Sequence, residues 1–220
     1  MINIFAEANC NRYVRDECQY CHVYEPLMQI PKNDWHLEPE KAQIMVDKIL
    51  QIEVFYELAK REINLTGGEP SQNPHIVEIF KIFRKLTPNV RIHTNLDISS
   101  ATSPRWQRLV DIIKLSGRVD FTLYPTVWES RQKPLLKEIL ELQDELIVNM
   151  IFEKVPDLLS QIEVLITFFE DQGKKYVSVL SLLDTYRKKL ESLLRENPNC
   201  DEGIFLKHMK DIENYISTDN

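Results

Sequence analysis

Stretches that read as strands alternate with stretches that read as helices, and this alternation restricts the fold more than any other feature of the chain. "INIFAEA" (about 2–8) reads as a strand. In "EPEKAQIMVDKILQIEVFYELAKR", Ile44, Ile49, Ile52, Phe55 and Leu58 recur at helical spacing, which predicts one long helix. "EINLT" is a strand stopped by Gly67 and Gly68, "NPHIVEIFKIFRKLT" a helix and "VRIHTN" a strand. "SPRWQRLVDIIKLSG" is a helix with Ser103 as its cap, Pro104 at its first position and Gly117 past its end. "RVDFTLYP" is a strand, followed by a helix begun or interrupted near Pro134. "ELIVNMIF" is a strand, the stretch to Gly173 a helix, "KYVSVLS" a strand, and the remainder is helical and charged. Strands separated by helices require crossover connections, so the sheet is expected to be parallel.

The strands carry a second signal. A strand buried on both faces reads as a continuous apolar run, but several here alternate. Val119, Phe121 and Leu123 share one face and Asp120, Thr122 and Tyr124 the other; Val90 and Ile92 oppose Arg91, His93 and Asn95; Asn149 interrupts an apolar run. Helices cover the apolar faces, and the polar faces look into something wet or occupied. The expected architecture is therefore α/β, an incomplete (β/α)6 parallel barrel (a partial TIM barrel) over residues 1–182. A helical C-terminal segment, 183–220, packs on that core. The alternative is a flatter sheet whose polar residues are satisfied by loops.

With 220 residues, a net charge of −7 and no basic block, the chain offers no large nucleic-acid footprint. No apolar run approaches membrane-spanning length, and no secretory pattern opens the chain. A reducing, cytoplasmic compartment is the expectation, where thiols outnumber disulfides.

That compartment matters for "CNRYVRDECQYC". Seven residues separate Cys10 from Cys18 and two separate Cys18 from Cys21; Cys200 lies far away in a polar segment. Three thiolates fit a structural zinc site with His22 or Cys200 as fourth ligand, although adjacent Cys21 and His22 diverge. They also fit an iron–sulfur cube, in which three protein ligands leave one iron open to a substrate or cofactor. A second motif, "TGGEP" at Thr66–Pro70, ends the second strand. Its glycines permit close backbone approach, and Glu69 offers an anionic acceptor for an ammonium group. Both motifs fall at the carboxyl ends of strands, the active-site end of parallel barrels.

Together, Cys10–Asn11, "CQYC", "TGGEP", "HTN" at 93–95 and "VNMIFEKVPDLLSQIEVL" resemble the radical S-adenosylmethionine (SAM) superfamily, in particular its molybdenum-cofactor and peptide-maturase branch. The family's usual first spacing is three residues; the seven here read as a loop insertion at "RYVRDE". The resemblance implies that Cys10, Cys18 and Cys21 ligate a [4Fe–4S] cluster whose open iron binds SAM. It implies reductive cleavage of SAM to a 5′-deoxyadenosyl radical that abstracts hydrogen from a substrate. Gly67, Gly68 and Glu69 would hold the methionine amino group, Tyr20 would lie near the adenine, and Thr94, Asn95, Thr122 and Asn149 would serve the ribose and carboxylate. Parity favours Asn95, Thr122 and Asn149 as inward-facing and counts against Thr94 unless the strand ends there. An electron donor such as flavodoxin or ferredoxin is implied as a partner.

The substrate, a peptide, partner protein or small metabolite, is not specified. Candidates to face it are Arg12, Tyr13, Arg15, Tyr24, Trp35, His36, His93, Tyr124 and Trp128. No separate recognition domain is expected before the first strand and no second cluster after the sixth. Two further readings are an activase that installs a radical on a partner enzyme and a non-catalytic metal-binding scaffold.

Overall fold

A computed structural model describes residues 2–12, 35–143 and 148–150, with single positions between 161 and 172. The chain divides into two compact units, Met1–Asn149 and Met150–Asn220. Of the second, Gln161, Val164, Leu165, Thr167 and Phe168 are helical, inside the helix expected there. The sixth strand and the 182/183 boundary lie outside the described residues.

The first unit alternates as expected. Strands β1 (Ile2–Glu7), β2 (Ile63–Gly67), β3 (Val90–Thr94), β4 (Arg118–Leu123) and β5 (Val148–Met150) form one sheet in the order β1-β2-β3-β4-β5. The β1–β2, β2–β3 and β3–β4 pairs are parallel. Helices α1 (Pro39–Gln51), α2 (Glu53–Arg61), α3 (Ile76–Phe83), α4 (Pro104–Lys114) and α5 (Lys133–Leu142) fill the connections. The order never reverses, and α1 packs on α3, α3 on α4 and α4 on α5. Crossovers of one hand along an unreversed order place their helices in a single layer.

The parity expectation holds in β2 and β3, whereas in β4 the polar face is buried as well, with Asp120 and Thr122 enclosed. Ile4, Ile63, Leu65, Val90, Ile92, Val119, Phe121 and Leu123 are buried. On the other face Asn64, Thr66, Arg91 and His93 are half-buried, and Phe5 is exposed. Polar residues there pair diagonally across strands: Arg91 Nη1 donates to Asp120 at 3.1 Å, and His93 Nε2 lies 2.8 Å from Thr122 Oγ1.

One local expectation is corrected, and Gly117 lies past the end of its helix as expected. The single helix predicted over 38–61 breaks at Ile52, which is extended (φ −117°, ψ 102°). The buried face of α1 is Ala42, Val46 and Ile49. Continued straight, that stripe reaches Glu53, Tyr56 and Lys60; the break re-phases the chain so that α2 buries Ala59 instead. Of the residues that recur at helical spacing, Ile44, Ile52 and Phe55 are exposed. At the end of α4 the left-handed residue is Ser116 (φ 60°), not Gly117. Ser116 N donates to Ile113 O and Gly117 N to Ile112 O, a Schellman closure. Gly117 is required for space: a Cβ there would lie 2.5 Å from Ile112 Cγ2 and 2.6 Å from the Phe80 ring. The expected cap is present, with Ser103 Oγ accepting from Arg105 N at 3.3 Å. No helix among the described residues is long and apolar enough to cross a membrane.

Candidate functional site

The carboxyl ends of β1, β2, β3 and β4 meet in a buried polar network that contains most of the described residues expected at the site. Its assembly starts with the two glycines. Gly67 has φ +130°, and a Cβ on it would lie 2.1 Å from Glu7 O; one on Gly68 would lie 2.3 Å from Asn9 O. Gly68 N donates to Glu7 O at 2.7 Å and Glu69 N to Asn9 O at 2.8 Å. The absent side chains therefore admit the end of β1, which brings the Cys10 segment against the end of β2.

Glu69 extends the link to β3. Its carboxylate is fully buried. Oε1 accepts from Ser71 N, Ser71 Oγ and Thr94 Oγ1, Oε2 accepts from Asn95 N at 2.7 Å, and Arg105 Nη2 lies 3.7 Å away. Thr94 is the last residue of β3, on the side of Val90 and Ile92, in keeping with the parity argument. Its hydroxyl also accepts from Leu96 N. Leu96 is buried with φ +50°, a conformation that costs a non-glycine residue roughly 1–3 kcal/mol and tends to occur at functional turns.

Asn95 joins this turn to the cysteine. Its Nδ2 lies 3.9 Å from Cys10 Sγ and donates to Asn11 Oδ1 at 2.9 Å. Asn11 Nδ2 donates to Asp97 O and Oδ2, while Gln72 Nε2 donates to Asn11 Oδ1. Asp97, also buried, binds Arg131 and lies 3.5 Å from Arg12 Nη1. Arg12 stacks 3.9 Å above the Tyr124 ring and donates to Thr126 Oγ1. Gln132 binds the ends of β3 and β4 to each other: its Nε2 donates to Asn95 O and Thr122 O, and its Oε1 accepts from Tyr124 N.

Residues 13–34 thus lie between two anchors. Arg12 holds the outgoing end. On the return, Ala8 N donates to Trp35 O and Leu37 N to Ala6 O, and His36 Nδ1 sits 2.5 Å from Glu7 Oε2. Burial pushes the Glu7 carboxyl above its ordinary value, against the opposing pull of the Asn9 N–H and His36. Burial also pushes His93 down to about 4, with the Arg91 charge adding to the effect and Glu69 opposing it, so its imidazole is neutral at physiological pH.

Of the expected site residues, Cys10, Gly67, Gly68, Glu69, Thr94 and Asn95 come together, and Thr122 joins through Gln132 and His93. Cys18, Tyr20, Cys21, Tyr13, Arg15, Tyr24 and the alternative ligands His22 and Cys200 lie outside the described residues. Asn149 is in β5, and its side chain is outside the described set. Trp128 is buried in the interior. Among the described residues no three His, Cys, Asp or Glu side chains form a metal-binding group. Nothing local in the sequence singles out Asp97, Arg105, Arg131 or Gln132; their partners are remote in the chain. One signal for Glu7 was available, a carboxylate at the end of an otherwise apolar strand just before a cysteine. No protein-family model matches this chain, and neither a curated protein nor a solved structure matches it.

Proposed function

We propose that the chain is a radical SAM enzyme built on an incomplete parallel barrel, with Cys10, Cys18 and Cys21 holding a [4Fe–4S] cluster. The observation that carries this reading is the convergence of Cys10, the Gly67–Gly68–Glu69 turn and Asn95 at one carboxyl edge of an unreversed parallel sheet. The donor set fits the cluster in one respect. Cys10 Sγ has the Asn95 amide Nδ2 3.9 Å away, an N–H donor of the kind that tunes cluster sulfurs. When bound, the cluster and SAM supply the one-electron cleavage of a carbon–sulfur bond, and the protein supplies position and shielding. Asn95 and Arg12 fix the start of the cysteine loop, and the Glu7–His36 pair fixes its return. Thr122 and neutral His93 line the polar sheet face on which a nucleoside or substrate would lie. A redox partner delivers the electron, and the substrate is a peptide, protein or small metabolite.

The scaffold reading has one observation in its favour. The glycines and Glu69 are fully occupied in joining strand ends, so this turn is explained without a ligand. Anaerobic purification separates the two. Wild-type protein and Cys200→Ala are expected to carry about four irons, to absorb broadly near 400 nm and to release 5′-deoxyadenosine from SAM with dithionite. Cys10→Ala is expected to lose the iron and the product. Colourless wild-type protein containing zinc, or a full reducible cluster that yields no 5′-deoxyadenosine, would overturn the enzyme reading.

A further inference from the structure

Five of the eight exposed large apolar side chains among the described residues fall between Ile44 and Phe55. Single exposed apolar residues are ordinary on a protein surface, but clusters mark contact sites. Four of the five, Leu50, Ile52, Val54 and Phe55, gather where α1 ends and α2 begins. Helix α2 has nine residues and buries only Ala59. A helix that short is marginal in water and depends on packing for its stability, yet of its apolar stripe Val54 and Phe55 are exposed and Leu58 is only half-buried. At 100° per residue, Val54, Leu58 and Phe55 fall within a 100° arc that does not include Ala59. Val54 is 62% exposed and Phe55 48%.

Charge placement indicates what covers this stripe. Glu53, Glu57, Lys60 and Arg61 all fall along one flank of it, acidic at the amino end and basic at the carboxyl end. When two copies of such a helix pack antiparallel about a two-fold axis, each flank faces the same flank of the other copy. Glu53 of one then meets Arg61 of the other, and this match occurs twice, while Glu57, level with its counterpart, stays paired with Lys60 at 2.6 Å within its own helix. A parallel arrangement would set each charged flank against the partner's opposite flank, which carries Ala59 and Tyr56 and offers no match.

We infer that α2 is a self-association face: two copies of this chain pair through antiparallel α2 helices, with Val54, Phe55 and Leu58 at the centre and Glu53 opposite Arg61 of the second copy. Ile52 and Leu50, at the helix junction, form the apolar rim. The interface is isologous, so it closes as a dimer and does not propagate. It does not rest on the proposed activity, since no residue of the cysteine or glycine motifs takes part in it.

Sedimentation of the full chain over a dilution series tests this. Wild type is expected to dimerise reversibly. Phe55→Glu is expected to weaken the dimer about 100-fold, as loss of a central aromatic anchor does, with an unchanged circular dichroism spectrum. The flank supplies a second arm that does not depend on how that variant folds. Glu53→Arg and Arg61→Glu alter exposed charges and are each expected to weaken association roughly tenfold; the double variant is expected to restore it. A wild type that is still monomeric at a concentration on the order of 100 μM overturns the inference. So does a dimer indifferent to Phe55→Glu or a double charge variant that fails to recover. A monomer whose α2 amides are slow to exchange would show that the face is covered by the chain's own remaining residues, which also overturns it.

Discussion

At the carboxyl edge of the sheet, Glu69 holds groups from two other turns with no exposure to water, whereas at the amino edge Arg91 holds Glu62 and Asp120 with its side chain partly in solvent. The amino edge is closed by main chain, Ile2 N donating to Glu62 O and Ile63 N to Asn89 O, and by solvent-facing side chains, Asn89 Nδ2 donating to Arg61 O and Arg84 Nη1 to Leu115 O. Beside it lies a polar cavity of about 270 Å³ lined by Glu62, Asn89, Arg91, Ser116 and Arg118. At the carboxyl edge main chain joins β1 to β2, Gly68 N to Glu7 O and Glu69 N to Asn9 O, and mostly buried side chains take main-chain groups of the other strand ends. Glu69 accepts from Asn95 N, Gln132 accepts from Tyr124 N, and Arg105 donates to Asp97 O. The shape of the carboxyl edge therefore depends on particular side chains. That is the property expected of the edge where a parallel sheet places its chemistry, while the other edge serves stability.

The largest expected effect follows from that dependence. Glu69→Ala removes the acceptor of Ser71 N, Thr94 Oγ1 and Asn95 N and leaves Arg105 without its carboxylate. Breaking a buried, hydrogen-bonded charge costs about 3–5 kcal/mol. Urea unfolding should show a loss of that size, or no folded protein, before any question of SAM binding arises. A loss no greater than that of a substitution at Glu62 would remove the distinction between the edges.

A smaller effect is read on the polar face by pH. Burial holds the folded-state pKa of His93 near 4, whereas the unfolded chain takes up the proton near 6.5. Between those values the unfolded state binds more protons, so stability falls as pH is lowered through this window. Glu7, raised by burial, acts in the opposite sense. Thermal melts of wild type and His93→Gln from pH 7 to 4 isolate the histidine: the slope should be shallower in the variant. Equal slopes would show that His93 charges freely and is hydrated, which would make the polar face an open one.

How far the sequence leads differs between the same two kinds of feature. The strands, their parity and the Ser103 cap were legible because each is a local pattern, a period of two or a residue type at a fixed offset. The Glu69–Asn95 link spans 26 positions and the Arg12–Asp97 pair 85. Pairs so far apart leave no local trace, so Asp97 and Gln132 read as ordinary loop polars. The misread helix shows a different limit. Periodicity through Ile44, Ile52 and Phe55 reveals an apolar stripe but not what it faces, and here the stripe faces outward. The glycines lie between these cases. Close backbone approach is predictable from Gly67 and Gly68, but the approaching group is the end of β1, which only the fold reveals.

The smallest expected effect is at the amino edge. Glu62 Oε2 lies 2.5 Å from Arg91 Nη2, with side chains 25% and 16% exposed. The distance is short, but a strong contribution does not follow. Glu62→Ala leaves Arg91 with Asp120, whose carboxylate is 3.1 Å from Nη1 and nearly buried. The guanidinium thus keeps a charged partner, and water enters through the adjoining cavity to solvate the freed Nη2. An ion pair of this kind contributes below about 1 kcal/mol, and salt screens part of it. Glu62→Ala should therefore shift the urea midpoint slightly at low salt and less in roughly 0.5 M sodium chloride. Its main-chain carbonyl, which accepts from Ile2 N, is untouched by the substitution. A loss above about 2 kcal/mol that persists in high salt would mean that the Glu62–Arg91–Asp120 set acts as one buried unit. The amino edge would then depend on its side chains as the carboxyl edge does, and its cavity would have to be considered as a site in its own right.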